Sequence, residues 1–187
     1  MAYLPDSRMG TIVIHYSATP IEQDYTVKDI DDMHRRRGFS GIGYHYFIRK
    51  NGAVERGRDM SQAGRFEQGA HAKGNNSVSI GICFEGGVRK ASPNVGFDSR
   101  TPAQVTAMIQ LIRDLKVRYP YAEVKGHRDM PGAATQCPGF DAAAWWAGVS
   151  APKAVAPIVA TATVAVPVQV NPIAALLQLL LKFFERK

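Results

Sequence analysis

Three short strand-like runs, Ile12-Val13-Ile14, Ser79 to Phe84 and Val124-Lys125-Gly126, lie far apart in the chain, with helix-like segments between them. Runs of three to six residues rich in β-branched side chains are too short for stable helices and read as buried strands. Ser79 to Phe84 closes at Gly86-Gly87, and Asn51-Gly52 joins Gly41 to Arg49 with Ala53 to Arg56 as a β-hairpin. Two helices are marked by their caps. Thr26-Val27-Lys28-Asp29 opens one in which Ile30, Met33 and His34 fall at helical spacing, so a helix over 27–37 is predicted, ending at Gly38. Thr101-Pro102-Ala103-Gln104 opens the other, with Val105, Met108, Ile109, Ile112 and Leu115 on its apolar face and an end near Tyr119-Pro120. Asp141 caps a last short helix whose Trp145 and Trp146 read as lids on the core. Strands and helices interleaved in this order fold as an α/β domain with a mixed central sheet and helices on its faces.

Length and composition bound the rest. With 187 residues, 45% hydrophobic and 21% charged, the chain suffices for one globular domain and an appendage. Composition changes near Val149, which divides the chain into a domain over 1–148, an Ala/Val/Pro-rich linker over 149–171 and a helix over 172–187. That helix starts at Asn171-Pro172 and gathers Gln178, Lys182, Glu185 and Arg186 on one face, with Leu and Phe covering the remainder. It would span about 22 Å at ~1.5 Å per residue, short of the roughly 30 Å hydrocarbon core of a bilayer. It is therefore expected to lie on a membrane rather than cross one.

The formal charge of +7 and pI near 9.6 call for an anionic partner. The tail is disproportionately basic, with Lys153, Lys182, Arg186 and Lys187 against Glu185 alone, which favours an anionic membrane surface; no nucleic-acid motif is present. The Arg35-Arg36-Arg37 run reads as a set of solvated partners for a helix dipole. The first ten residues lack the apolar core of a secretory signal, so synthesis in the cytoplasm is expected. Two cysteines in unlike settings give no disulfide framework, and Cys83, inside an apolar run, reads as a small buried hydrophobe.

Cys137 is different. The segment Gly126 to Asp141 is rich in turn residues and sets His127 and Cys137 ten residues apart, while His15 ends the first strand. If the first and last strands are neighbours, two imidazoles and a thiol converge. Three protein ligands with a fourth position open are the pattern of a catalytic zinc, as against the closed four-ligand structural site.

Four separated stretches carry a resemblance: Ile14-His15-Tyr16-Ser17-Ala18-Thr19, Gly43-Tyr44-His45-Tyr46-Phe47-Ile48, His71-Ala72-Lys73-Gly74-Asn75-Asn76 with Ser79-Ile80-Gly81-Ile82, and His127-Arg128-Asp129 with Cys137-Pro138-Gly139. Over about residues 8–148 the chain resembles the zinc N-acetylmuramoyl-L-alanine amidases, most of all the phage T7 lysozyme type, and more distantly the peptidoglycan recognition proteins. The resemblance implies zinc held by His15, His127 and Cys137, and hydrolysis of the amide between muramic acid and L-alanine in peptidoglycan. It assigns catalytic roles to Tyr44 and Thr135 and contacts with the substrate groove to His71 and Asn76; His45 reads as a packing residue or a hydrogen-bond partner of a zinc ligand. Phage enzymes of this type carry lysine where this chain has Thr135, so the oxyanion here rests on a neutral donor. The competing readings are a non-catalytic peptidoglycan-binding module and a cytoplasmic amidase that recycles anhydro-muropeptides. Four intact site positions favour an enzyme over the first, and the basic tail favours an endolysin of a phage or prophage of a Gram-negative host over the second. Such an enzyme acts on the cell wall.

Overall fold

The computed structural model describes residues 2–151. The linker and the amphipathic helix expected beyond Ala151 lie outside the described residues.

The strands are β1 (Tyr3–Pro5), β2 (Thr11–Tyr16), β3 (Thr19–Pro20), β4 (Tyr46–Ile48), β5 (Val54–Arg56), β6 (Arg65–Glu67), β7 (Ser79–Phe84), β8 (Gly87–Val88) and β9 (Glu123–Gly126); the helices are α1 (Val27–Arg36), α2 (Pro102–Arg118) and α3 (Ala142–Ser150). The central sheet has the order β5-β4-β7-β2-β9, parallel throughout except for the antiparallel edge strand β5. The expected mixed α/β fold is what the chain adopts. Two small pairings had no sequence signal: β1 with β6, and β3 with β8. Strands of two or three residues are too short to show a period, and they form because the neighbouring chain supplies a partner.

The helix caps behave as the sequence dictates. Thr26 and Asp29 form a reciprocal capping box on α1, and Thr101 and Gln104 do the same on α2, with Pro102 in the first turn. Helix α1 stops at Arg36, one residue before the expected end, and Arg37 is its C-cap. Helix α3, capped by the Asp141 side chain, runs to Ser150, two residues past the boundary expected at 148. No helix among the described residues is long and apolar enough to cross a membrane.

Period-two alternation sorts the central strands onto two faces. Ile12 and Ile14 of β2, with Ile80, Ile82 and Phe84 of β7, join Met108, Ile112 and Leu115 of α2 in the larger core. Cys83 faces the other way and packs with Phe47 of β4 and Ile30 of α1. His15, opposite Cys83 in the register, therefore emerges on the α1 side. Every residue of β7 is buried, as expected for a parallel strand covered on both faces. Gln104, fully buried, donates to the Ile48 and Glu85 carbonyls at 3.0 Å each and so ties the start of α2 to two strand ends.

His45 is a second internal tie. Its Nδ1 accepts from the Gly81 amide at 3.0 Å and its Nε2 donates to the Glu67 carbonyl at 2.8 Å, so both ring nitrogens are used by the neutral imidazole. Burial lowers its pKa from 6.5 to about 4. His15, His34, His71 and His127 are also held below the usual range, chiefly by burial. The unfolded chain takes up protons first as pH falls, so this stability is fully present above about 6.5 and is lost as pH drops towards 4. His45 alone contributes up to about 3 kcal/mol. In metal-free protein the urea midpoint is expected to fall steadily from pH 7 to pH 4.5; a midpoint constant over that range would contradict neutral burial.

Candidate metal centre and active-site cleft

The pairing of parallel strands β2 and β9 ends at Ile14 and Gly126, so the next residues, His15 near the end of β2 and His127 just past β9, lie side by side. Their ring centroids are 4.5 Å apart. The loop after β9 then returns Cys137 to the same place. Its carbonyl accepts from the Arg128 amide at 2.7 Å, its amide donates to Thr135 Oγ1 at 3.1 Å, and its Sγ accepts from the Tyr16 amide at 3.3 Å. The turn is packed closely enough that a Cβ at Gly126 would meet Pro138 at 2.7 Å. Sγ ends 3.8 Å from His15 Nδ1, and one donor atom from each of His15, His127 and Cys137 lies within 4.8 Å of the others. These three form the only such metal-competent cluster among the described residues.

A cleft of about 290 Å³ opens over the cluster, lined by all three residues together with Tyr16, Ser17, His34, Arg37, Tyr44 and Thr135 among others. Tyr44 stacks obliquely near His15, ring centroids 5.1 Å apart. Burial, then the neighbouring Cys83 and Cys137, push its phenol well above 10. The side chain therefore carries its proton at neutral pH and is a hydrogen-bond donor. Helix α1 aims it: His34 Nδ1 accepts from the Gly43 amide at 2.9 Å, and Asp31 Oδ1 accepts from the Ile42 amide at 2.6 Å.

Thr135 is exposed at the rim of the cleft. His71 and Asn76 are turned inward. Asn76 Oδ1 accepts from the His71 and Ala72 amides at 2.8 Å each, which holds the loop, and the His71 ring lies behind His15. Their neighbours Lys73 and Asn75 instead line a hollow of about 140 Å³ beside His127 and Thr135. Two cleft residues escaped the sequence reading. His34 looked like one more residue on a helix face, and Arg37 like a solvated cation. Arg37 is the only lysine or arginine lining the cleft, with its guanidinium 5.2 Å from the Phe39 ring centroid. Arg37 is the C-cap of α1, and the Gly38-Phe39 turn that follows has no regular pattern in sequence.

A mixed α/β sheet that delivers two imidazoles, a thiol and a protonated tyrosine to one open cleft defines a hydrolase domain. Residues 5–140 match the sequence model of the N-acetylmuramoyl-L-alanine amidases. The chain is 40% identical over 136 residues to an endolysin of Klebsiella phage KP32, covering 72% of this chain and 83% of that one. It is 37% identical over 136 residues to the endolysin of Escherichia phage T7, with the same coverage of both chains. Among solved structures, the N-acetylmuramoyl-L-alanine amidase LysC from Clostridium intestinale superposes with a TM-score of 0.59 at 34% identity, over 75% of this chain and 83% of that one. The chain belongs to the N-acetylmuramoyl-L-alanine amidase family, and its function is that of a peptidoglycan-hydrolysing endolysin.

Proposed function

We propose that the chain cuts the amide between the lactyl group of N-acetylmuramic acid and L-alanine, using one zinc ion held by His15, His127 and Cys137, in the lysis of a Gram-negative host by a phage or prophage. The convergence of those three donors at the floor of an open cleft carries this reading. The donor set fits the metal. A tetrahedral zinc about 2.3 Å from sulfur and ~2.1 Å from nitrogen separates the two ligand atoms by about 3.6 Å, against 3.8 Å between Cys137 Sγ and His15 Nδ1. When bound, such a zinc polarises the amide carbonyl and lowers the pKa of its water towards about 7.

The chain's own residues do the rest. Tyr44, protonated by virtue of its burial, donates to the oxygen on which charge develops. Thr135 offers a second, neutral hydroxyl at the rim. Arg37 lines the cleft and, among the described residues, is the one fixed positive charge there for the anionic groups of a stem peptide. Mass spectrometry of digested peptidoglycan tests the bond. The expected products are stem peptides with a free L-alanine amine and glycan strands with free lactyl carboxylates; new reducing ends, or cuts within the peptides, would count against it.

For the basic segment 172–187 we keep the reading that it contacts anionic membranes, in support of which stand its charge and amphipathic pattern. Removing residues 152–187 should leave hydrolysis of purified peptidoglycan unchanged and lower the lysis of intact cells. Equal lysis by both forms would remove the tail from the lytic mechanism.

A further inference from the structure

Behind the proposed zinc ligands lies a further histidine that the reaction itself does not use. His15 presents Nδ1 to Cys137 Sγ, 3.8 Å away, which leaves Nε2 pointing into the protein. There it meets Nδ1 of His71 at 3.1 Å, with the two rings nearly perpendicular at 83°. Both residues are buried, at 1% and 8% exposure, so water does not compete for the bond.

The pocket around His71 is shaped to its ring. Gly81 interrupts the buried strand β7, where a glycine weakens the strand and fills no core. A Cβ there would lie 2.6 Å from His71 Cγ, and one at Gly69 would lie 2.7 Å from His71 Cδ2. The ring thus occupies the volume that two ordinary side chains would fill. Its backbone is pinned by Asn76, and its far side packs against His45, ring centroids 5.6 Å apart, itself fixed at both nitrogens. Among the described residues the one close side-chain hydrogen bond of the His71 ring is to His15, with the Ser79 backbone also beside the ring.

We propose that His71 is a positioning residue for the metal centre: its Nδ1 accepts the Nε2 proton of His15, which fixes the His15 tautomer and leaves Nδ1 free as a ligand. A metal-binding histidine generally gives its other N–H to a carboxylate, a carbonyl or water, and this partner sets both ring orientation and basicity. Here a neutral imidazole takes that place. It orients the ligand without adding a negative charge beside a centre that already contains a cysteine sulfur. This assigns His71 to the rear of the site, in place of the groove contact that the resemblance implied. It rests on the zinc reading of His15, His127 and Cys137.

Zinc affinity of the full chain, measured by competition with a chromophoric chelator, tests the proposal with no reliance on activity. His71→Asn keeps an acceptor near the position of Nδ1, whereas His71→Gln carries its amide one bond further and His71→Leu has none. The Gln and Leu variants are expected to bind zinc about 10- to 100-fold more weakly than the parent, and Asn is expected to recover most of that loss. Thermal unfolding of the metal-free forms separates a changed site from a changed fold, and the Asn and Gln pair decides the matter even if Leu does not fold. Equal zinc affinity in the Asn and Gln variants, or parental affinity in Leu, would overturn the proposal; parental affinity with a raised KM would return His71 to the groove. A parent chain that binds no zinc would instead overturn the reading on which this one rests.

Discussion

Replacing Cys137 by serine is expected to lower hydrolysis of purified peptidoglycan by at least about a thousandfold, the rate equivalent of the several kcal/mol that a Lewis-acid metal contributes. Cys137 is 4% exposed and its sulfur is met by the Tyr16 amide, so a smaller hydroxyl fits without disturbing the loop. What is lost is the soft ligand. Serine oxygen is a poor substitute for a thiolate towards zinc, and two imidazoles alone do not hold a catalytic ion. A strong chelator should bring the parent to the same low rate, with zinc restoring the parent and not the variant. Clearing of cell-wall substrate that persists through chelation, or a serine variant within tenfold of the parent, would show that the three-residue cluster is not the reaction centre.

Tyr44→Phe is expected to reduce kcat by about a hundred- to a thousandfold, the usual consequence of removing one donor to a developing oxyanion. Bound zinc should stay at the parental level, because Tyr44 is not one of the three clustered donors. KM should change little, since the hydroxyl acts on charge that exists only in the transition state. The direction of the Tyr44 pKa matters here. A phenol held well above 10 carries its proton at neutral pH and can donate it to a hydrogen bond. A variant that turns over at the parental rate would leave the oxyanion to Thr135 or to the backbone.

Much of the site is legible because it sits at the ends of strongly patterned elements. His15 follows a β-branched run, His127 follows the last strand, and Cys137 lies in a loop of turn residues; each position is marked by its flanks. The helix caps at Thr26 and Thr101 are equally plain, since a capping box is a local hydrogen-bond pattern that needs no tertiary partner. Arg37, His34 and the inward face of His71 are not marked in this way. Their roles depend on which side of the sheet α1 covers and on what fills the space above Gly69 and Gly81. A motif identifies His71 as a residue of interest without saying which way its ring turns.

The sequence by itself determined the α/β class, the two long helices and their caps, and the strand-end and loop positions of the three candidate ligands, because hydrophobic period, capping and strand ends are properties of neighbouring residues; Tyr44 was marked only by the resemblance of its motif. The tertiary structure alone decided that β2 and β9 lie side by side, that alternation turns His15 and Cys83 towards α1, and that His71 backs His15 in a buried bond. Those facts follow from strand order and from the filling of space between elements distant in the chain. Neither is written in any single segment: a parallel pairing joins residues more than a hundred positions apart, and only packing chooses the partner.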